Sequence, residues 1–149
     1  MSKTTILTLM YSCMLFLPVL LWSQTKKPAT AAKSTNTLKL SIARGKAVYA
    51  DQCLVCHQAD GGGVQNMNPP LIKTKWVLGD KSVLINIVLK GMNTETEING
   101  DVYHNIMPPH EFMTDQQIAD VLTYIRNSFG NKAKAITQAD VKAVRAKAK

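Results

Sequence analysis

The longest apolar run of the chain stands at its start, from Ile6 to Trp22, and its most regular apolar rhythm stands towards its end. Ile118, Val121, Leu122, Ile125 and Phe129 recur at i, i+3, i+4, i+7 and i+11, the spacing of one face of an α-helix. Thr114-Asp115-Gln116-Gln117 has the form of a capping box that opens this helix, and Gly130 stands where it should stop. A second helix is expected from a Ser41 cap through Ile42 to about Asp51, with Gly45 and Tyr49 four apart on one face. A side chain as small as that of Gly45 would let the other helix approach closely and pack Tyr124 against it. Val83 to Lys90 reads as a further helix. Between it and the capping box, Asn99-Gly100 inside Glu95 to Tyr103 signals a type I′ turn, and so a two-stranded ribbon.

The patterned stretch runs from residue 41 to residue 130, and the remainder divides around it. Residues 1–23 read as a cleaved export signal. Lys3 precedes the apolar run, which is 17 residues long, is interrupted by Thr8, Ser12 and Pro18, and is followed by a small residue, Ser23. A membrane-spanning helix needs about 20 apolar residues; an uncleaved anchor is the alternative. Residues 24–40 read as a flexible basic linker, and residues 131–149 as a basic tail in which Thr137 can cap a short helix carrying Val141 and Val144. Alone, such a helix would be marginal.

Segmentation changes how composition and charge are read. The 149 residues carry a formal charge of +8, three cysteines and only 6% aromatic residues. The linker contributes +4 and the tail +5, whereas residues 41–130 sum to −2. The basicity therefore belongs to the arms, which suit partners with acidic docking surfaces or an anionic membrane. Nucleic acid is excluded as a partner, because no aromatic residues interleave with the arm lysines and the chain reads as exported. Cys13 falls in the export signal, which leaves Cys53 and Cys56 in an oxidising compartment.

Those two cysteines stand in Cys53-Leu54-Val55-Cys56-His57, the spacing of covalent haem attachment. Two thiols so placed can add across the two vinyl groups of a haem, and the histidine directly after the second lies under the iron as its proximal ligand. A structural zinc site would need two more ligands, and only His104 and His110 remain to supply them. A thioredoxin-like dithiol needs a βαβ context that the pattern lacks. A plain disulfide would leave His57 without a role.

Gly45 to Tyr49, the Cys53–His57 motif, Pro69-Pro70-Leu71, Met107-Pro108-Pro109 and the 119–125 helix, taken together, resemble the monohaem cytochromes c of the His/Met kind. The resemblance covers nearly all of residues 41–130. It is particularly close to bacterial modules with a Trp-Val-x-Gly-Asp stretch, here Trp76 to Asp80, and an Asn-Gly turn before Met-Pro-Pro. It implies an all-α fold of about three main helices around one covalent haem c and its iron, with the small ribbon before the methionine loop. It also implies an electron-transfer protein of the cell envelope, periplasmic or otherwise exported, rather than an enzyme. Such modules serve as free carriers, or as haem subunits of periplasmic dehydrogenases, oxidases or nitrite-reducing enzymes. A small haem peroxidase, which would need an open iron position, is the third reading.

Met67, Met92, Met107 and Met113 are the methionines outside the export signal, and thioether ligation would raise the potential and close the iron. Met107 is preferred as the sixth ligand because Pro108 and Pro109 stiffen the backbone after it, and the resemblance points to the same residue. His104 and His110 flank it. Ligand exchange at the iron is their functional reading, and solvent-facing loop histidines the preferred one. The resemblance also places the carbonyl of Pro69 or Pro70 as acceptor for the His57 ring. Leu71 is expected to pack on the haem, and Trp76 either to reach a propionate through its indole N–H or to fill the core.

Overall fold

The computed structural model describes residues 29–147, with side chains from residue 36 on. The expected export segment, residues 1–23, lies outside the described residues, as does Cys13. In chain order the elements are α1 (Ala29–Gln52), α2 (Leu54–His57), α3 (Lys75–Leu78), α4 (Lys81–Lys90), β1 (Thr96–Ile98), β2 (Asp101–Tyr103), α5 (Asp115–Ile125) and α6 (Gln138–Lys147). The fold is all-α with one two-stranded antiparallel ribbon. In that ribbon Ile98 faces Asp101 across Asn99 (φ 55°) and Gly100 (φ 92°), both left-handed as a type I′ turn requires.

The helix pair α1 and α5 forms the spine. No side chain larger than hydrogen fits at Gly45, because a Cβ there would run into the Asp120 carbonyl and stand 2.8 Å from the Tyr124 Cβ. At the same crossing Asp120, only 2% exposed, accepts hydrogen bonds from Ser41 Oγ (2.6 Å), Arg44 Nε (2.6 Å) and Arg44 Nη2 (2.8 Å). Ser41 is thus not the cap expected from the sequence. It sits inside α1, which begins at Ala29, and residues 29–40 are helical where a flexible linker was expected. The linker composition lacks an apolar stripe, but its threonines, alanines and lysines do not break a helix propagated from a packed segment.

α5 keeps its capping box, with Thr114 Oγ1 accepting from the Gln117 backbone N–H, but it ends at Ile125, short of Phe129. Two polar residues enforce the stop. The Asn131 side chain donates to the carbonyls of Ile125 (2.8 Å) and Leu71 (2.9 Å), and the buried Arg126 donates to those of Val77 (2.7 Å) and Lys134 (3.0 Å). Phe129 then turns back, with φ 56°, against Tyr49 and Tyr124 at centroid distances of 5.4 and 5.6 Å.

Residues 131–147 belong to the folded body, which corrects the reading of a separate tail ending the domain at residue 130. α6 is capped by Thr137, and Ile136, Val141 and Val144 are buried against α4 and α5. Thr123 Oγ1 and the Ile136 backbone exchange two hydrogen bonds of 3.0 Å. Arg145 reaches Asp115 Oδ1 (2.8 Å) and the carbonyls of Glu111 and Met113, while Lys81 pairs with Asp140 (3.2 Å). Three apolar residues in a lysine-rich segment are too few to show as a period. A preformed groove between two helices is what makes them sufficient.

Candidate functional site

α1 delivers the Cys53–His57 motif. The Cys53 N–H donates to the Tyr49 carbonyl (3.0 Å), and the N–H of His57 donates to the Cys53 carbonyl (2.9 Å), so the motif forms a short helix. Gln58, with φ 63°, ends that helix, and its carbonyl accepts from Tyr49 Oη at 2.7 Å. The loop that follows folds back over His57. Gly63 donates to the His57 carbonyl at 3.1 Å, and a Cβ on it would lie 2.7 Å from the Pro69 carbonyl oxygen. This close approach brings Pro69 O within 3.0 Å of His57 Nδ1. A carbonyl can only accept, so Nδ1 carries the hydrogen and Nε2 keeps the lone pair.

The opposite wall is built from the end of α4. Gly91 closes that helix at φ +70°, where a Cβ would collide with the Met107 carbonyl and stand 2.9 Å from Pro108 and Pro109. Met92 and Met107 exchange both backbone hydrogen bonds at 2.9 Å, and the His110 N–H donates to the Val88 carbonyl at 2.9 Å. The methionine loop is also tied to the histidine side, since the Asn105 N–H donates to the Met67 carbonyl at 3.1 Å.

Between these walls lies a cavity with about 1230 Å³ of unfilled space, part of it open to solvent. Its lining includes the residues assigned a haem role from the sequence, Cys53, Cys56, His57, Pro69, Leu71, Trp76 and Met107. Met92, Met113 and His110 line it as well, whereas Met67 and His104 do not. No Asp, Glu, Lys or Arg side chain contributes to the lining. Inside it burial dominates the titration. It holds the His57 imidazolium below its ordinary range, against the favourable Pro69 carbonyl, and a charge on His110 depresses it further. Burial, followed by the neighbouring Cys56, pushes the free Cys53 thiol up to about 11. Among the described residues no group of three or more His, Cys, Asp or Glu side chains is placed to hold a metal ion.

The cytochrome c family model matches residues 42–129, from the first helix past the end of α5. This chain belongs to the cytochrome c family. It is 34% identical over 119 residues to cytochrome c-552 of Thermus thermophilus, covering 74% of this chain and 80% of that one. It is also 36% identical over 124 residues to the cytochrome c subunit of a quinone alcohol dehydrogenase of Gluconacetobacter polyoxogenes. A gluconate 2-dehydrogenase cytochrome c subunit of Pantoea cypripedii is 38% identical over 108 residues. This cytochrome c spans about a quarter of the length of those two dehydrogenase subunits (26% and 24%), against 81% and 68% of its own.

Family membership implies a covalent haem c with its iron, and the cavity suits that group. A wall with two thiols and a tautomer-fixed histidine faces a wall with a stiffened methionine loop, and apolar side chains lie between. Two buried nitrogens among the lining residues, Trp76 Nε1 and His110 Nδ1, have no hydrogen-bond partner among the described residues. Unpaired buried polar atoms are costly in a finished fold, and both nitrogens are free to meet a polar part of a bound group. His110 is not the solvent-facing residue expected from the sequence, because its Nδ1 is buried and the residue lines the cavity. His104 is exposed and meets Glu95 Oε1 at 2.8 Å.

The residues missed in the sequence are Gly63, Gly91 and Asn131, together with buried Asp120, Thr123 and Arg126 and the half-exposed Arg44 that pairs with Asp120; Ser41 was read as a cap instead of a partner of Asp120. For the two glycines a signal was available, since each stands next to a loop that the motifs had marked. Nothing in a single sequence distinguishes a buried Asp120 from an exposed one.

Proposed function

We propose that this cytochrome c is an exported electron carrier with one haem c, bound through Cys53 and Cys56 and ligated by His57 and Met107. The observation that carries the ligand set is the His57–Pro69 hydrogen bond, which leaves Nε2 as the free donor on a ring lining the cavity. Met107 is favoured over Met92 and Met113 for a backbone reason. Two proline rings follow it and both of its main-chain bonds to Met92 are made, so its sulfur is held with little freedom to move. Met113 is 4% exposed and packed in the core, which suits a filler. When bound, the haem supplies a one-electron ferric/ferrous couple whose potential a thioether ligand raises. The chain's own part is to fix His57, to present Met107, to offer the Trp76 nitrogen to a polar edge of the group, and to keep water out with Leu71, Val77, Leu84 and Leu122. With Met107 as the sixth ligand no iron position is left open, which favours a carrier over a peroxidase.

A dedicated haem subunit of a dehydrogenase is the second reading, favoured by the similarity to alcohol, gluconate and fructose dehydrogenase cytochrome subunits. The mouth of the cavity suits a redox protein partner that docks through apolar contact. Val55 (85% exposed) lies between the two cysteines, and Ile106 (69%) lies beside Met107. Lys39 and Lys46 of α1 and Lys142 and Lys147 of α6 are exposed, do not line the cavity, and form the surface offered to an acidic docking partner or an anionic membrane. Among the described residues no helix is long and apolar enough to cross a membrane.

The test begins with acid–acetone extraction, after which the colour should stay with the polypeptide. The oxidised protein should show a methionine–iron charge-transfer band, and Met107→Ala should abolish it and admit carbon monoxide to the reduced protein. Retention of that band in the variant would overturn the assignment of Met107. Co-elution of a dehydrogenase during purification from the native source would decide for the subunit reading, and its absence for the free carrier.

A further inference from the structure

We propose that His110 is a reserve axial ligand, whose imidazole takes the iron when the Met107 thioether is displaced. The inference rests on the reading of Met107 as the resident ligand.

The chain holds three histidines, and the structure sorts them. His57 has its Nδ1 committed to Pro69, and exposed His104 has its Nδ1 against Glu95. His110 lines the same cavity as His57 and Met107, and its buried Nδ1 has no partner among the described residues. The other charge-bearing groups in the cavity lining are the two thiols and Tyr103, and none of them hydrogen-bonds His110. The ring packs beside Phe112 at a centroid distance of 5.8 Å.

The backbone makes the exchange local. Met107 is held by Met92, just past the end of α4, and His110 is held by Val88 in the last turns of that helix. Only Pro108 and Pro109 separate the two, so a thioether and an imidazole that both line the cavity belong to one stiff four-residue segment. Swapping one for the other needs movement of this segment and no unfolding of α4.

The chemistry balances without a redox partner. A neutral imidazole and a thioether each donate one electron pair. The exchange breaks one iron–sulfur bond and forms one iron–nitrogen bond, leaving oxidation state and net charge unchanged. Imidazole favours the ferric state relative to thioether, so the exchanged form would have a lower potential.

The experiment uses the holoprotein with its covalent haem, near neutral pH. In Met107→Ala the charge-transfer band should vanish while the visible spectrum stays low-spin. Met107→Ala/His110→Ala should turn high-spin and bind carbon monoxide in the reduced state at least tenfold more tightly than the single variant. Met107→Ala/His104→Ala should stay low-spin. If Met107→Ala loses the band and is as high-spin and as open to carbon monoxide as the His110 double variant, the proposal is overturned while the Met107 assignment stands. Persistence of the band would overturn both. Should the alanine variants fail to accumulate, the native chain and His110→Gln give the same comparison in urea below the unfolding midpoint. Loss of the band should leave the native protein low-spin and His110→Gln high-spin, and equal behaviour of the two would overturn the proposal.

Discussion

Replacing Gly45 by alanine sets two effects of opposite sign against each other. Helix propensity favours alanine over glycine in a helix interior by about 1 kcal/mol. The structure puts the new methyl group into the Asp120 carbonyl, with the Tyr124 Cβ 2.8 Å away. That carbonyl is main chain, and α5 cannot slide outwards without stretching the three hydrogen bonds on Asp120 and opening the Tyr49–Tyr124 contact. Overpacking a rigid site of this kind costs about 1–3 kcal/mol, and the upper end applies because backbone rather than a side-chain tip must give. The net expectation for Gly45→Ala is a loss of about 2 kcal/mol, equivalent to a drop of about 5–10 °C in Tm for a domain of this size. Urea unfolding of the oxidised holoprotein, followed by far-UV circular dichroism, reads the difference as a lower midpoint at unchanged slope. Gly45→Val should be worse still. A rise in midpoint for Gly45→Ala would mean that propensity governs and that the close crossing is not a constraint.

Gly91→Ala forces a β-carbon into the Met107 carbonyl at a positive φ, so the methionine loop should shift and the charge-transfer band should weaken, with stability falling by about 1–3 kcal/mol. Truncation after residue 135 removes Ile136, Val141 and Val144, each worth about 1.5–3 kcal/mol when buried, and should lower the urea midpoint far more than loss of a solvated tail would. For Asp120, burial raises the carboxyl, but hydrogen bonds from Arg44, Ser41 and Gln116 outweigh it and hold the pKa below the ordinary 3.8. The folded pKa is depressed, so this contribution to stability is complete above that value and fades as pH falls through the folded pKa. Asp120→Asn should therefore be less stable than the native protein at pH 6 and close the gap in acid, as paired denaturation curves from pH 6 to pH 2 would show. A constant gap would deny the carboxylate its role.

The sequence by itself determined the chemistry of the site and the elements that carry it. Attachment to haem requires two thiols and a histidine at fixed spacing, so Cys53, Cys56 and His57 could be proposed without any fold. Met107 could be proposed because proline restricts the backbone wherever it occurs, and the ribbon was legible because Asn99-Gly100 meets a local dihedral requirement. Helix α5 was legible because its apolar period and capping box are local properties. What only the tertiary structure decided depends on distance in space. Thr137 announced α6, but whether three apolar side chains suffice to hold it depends on a groove formed by helices far away in sequence. The buried Asp120 is tolerated because Ser41 and Arg44 arrive from 79 and 76 residues away. His110 illustrates the limit most plainly. Its identity was visible from the start, but its place in the cavity lining depends on the packing of its loop against α4, where its N–H donates to the Val88 carbonyl, and no local pattern encodes that contact.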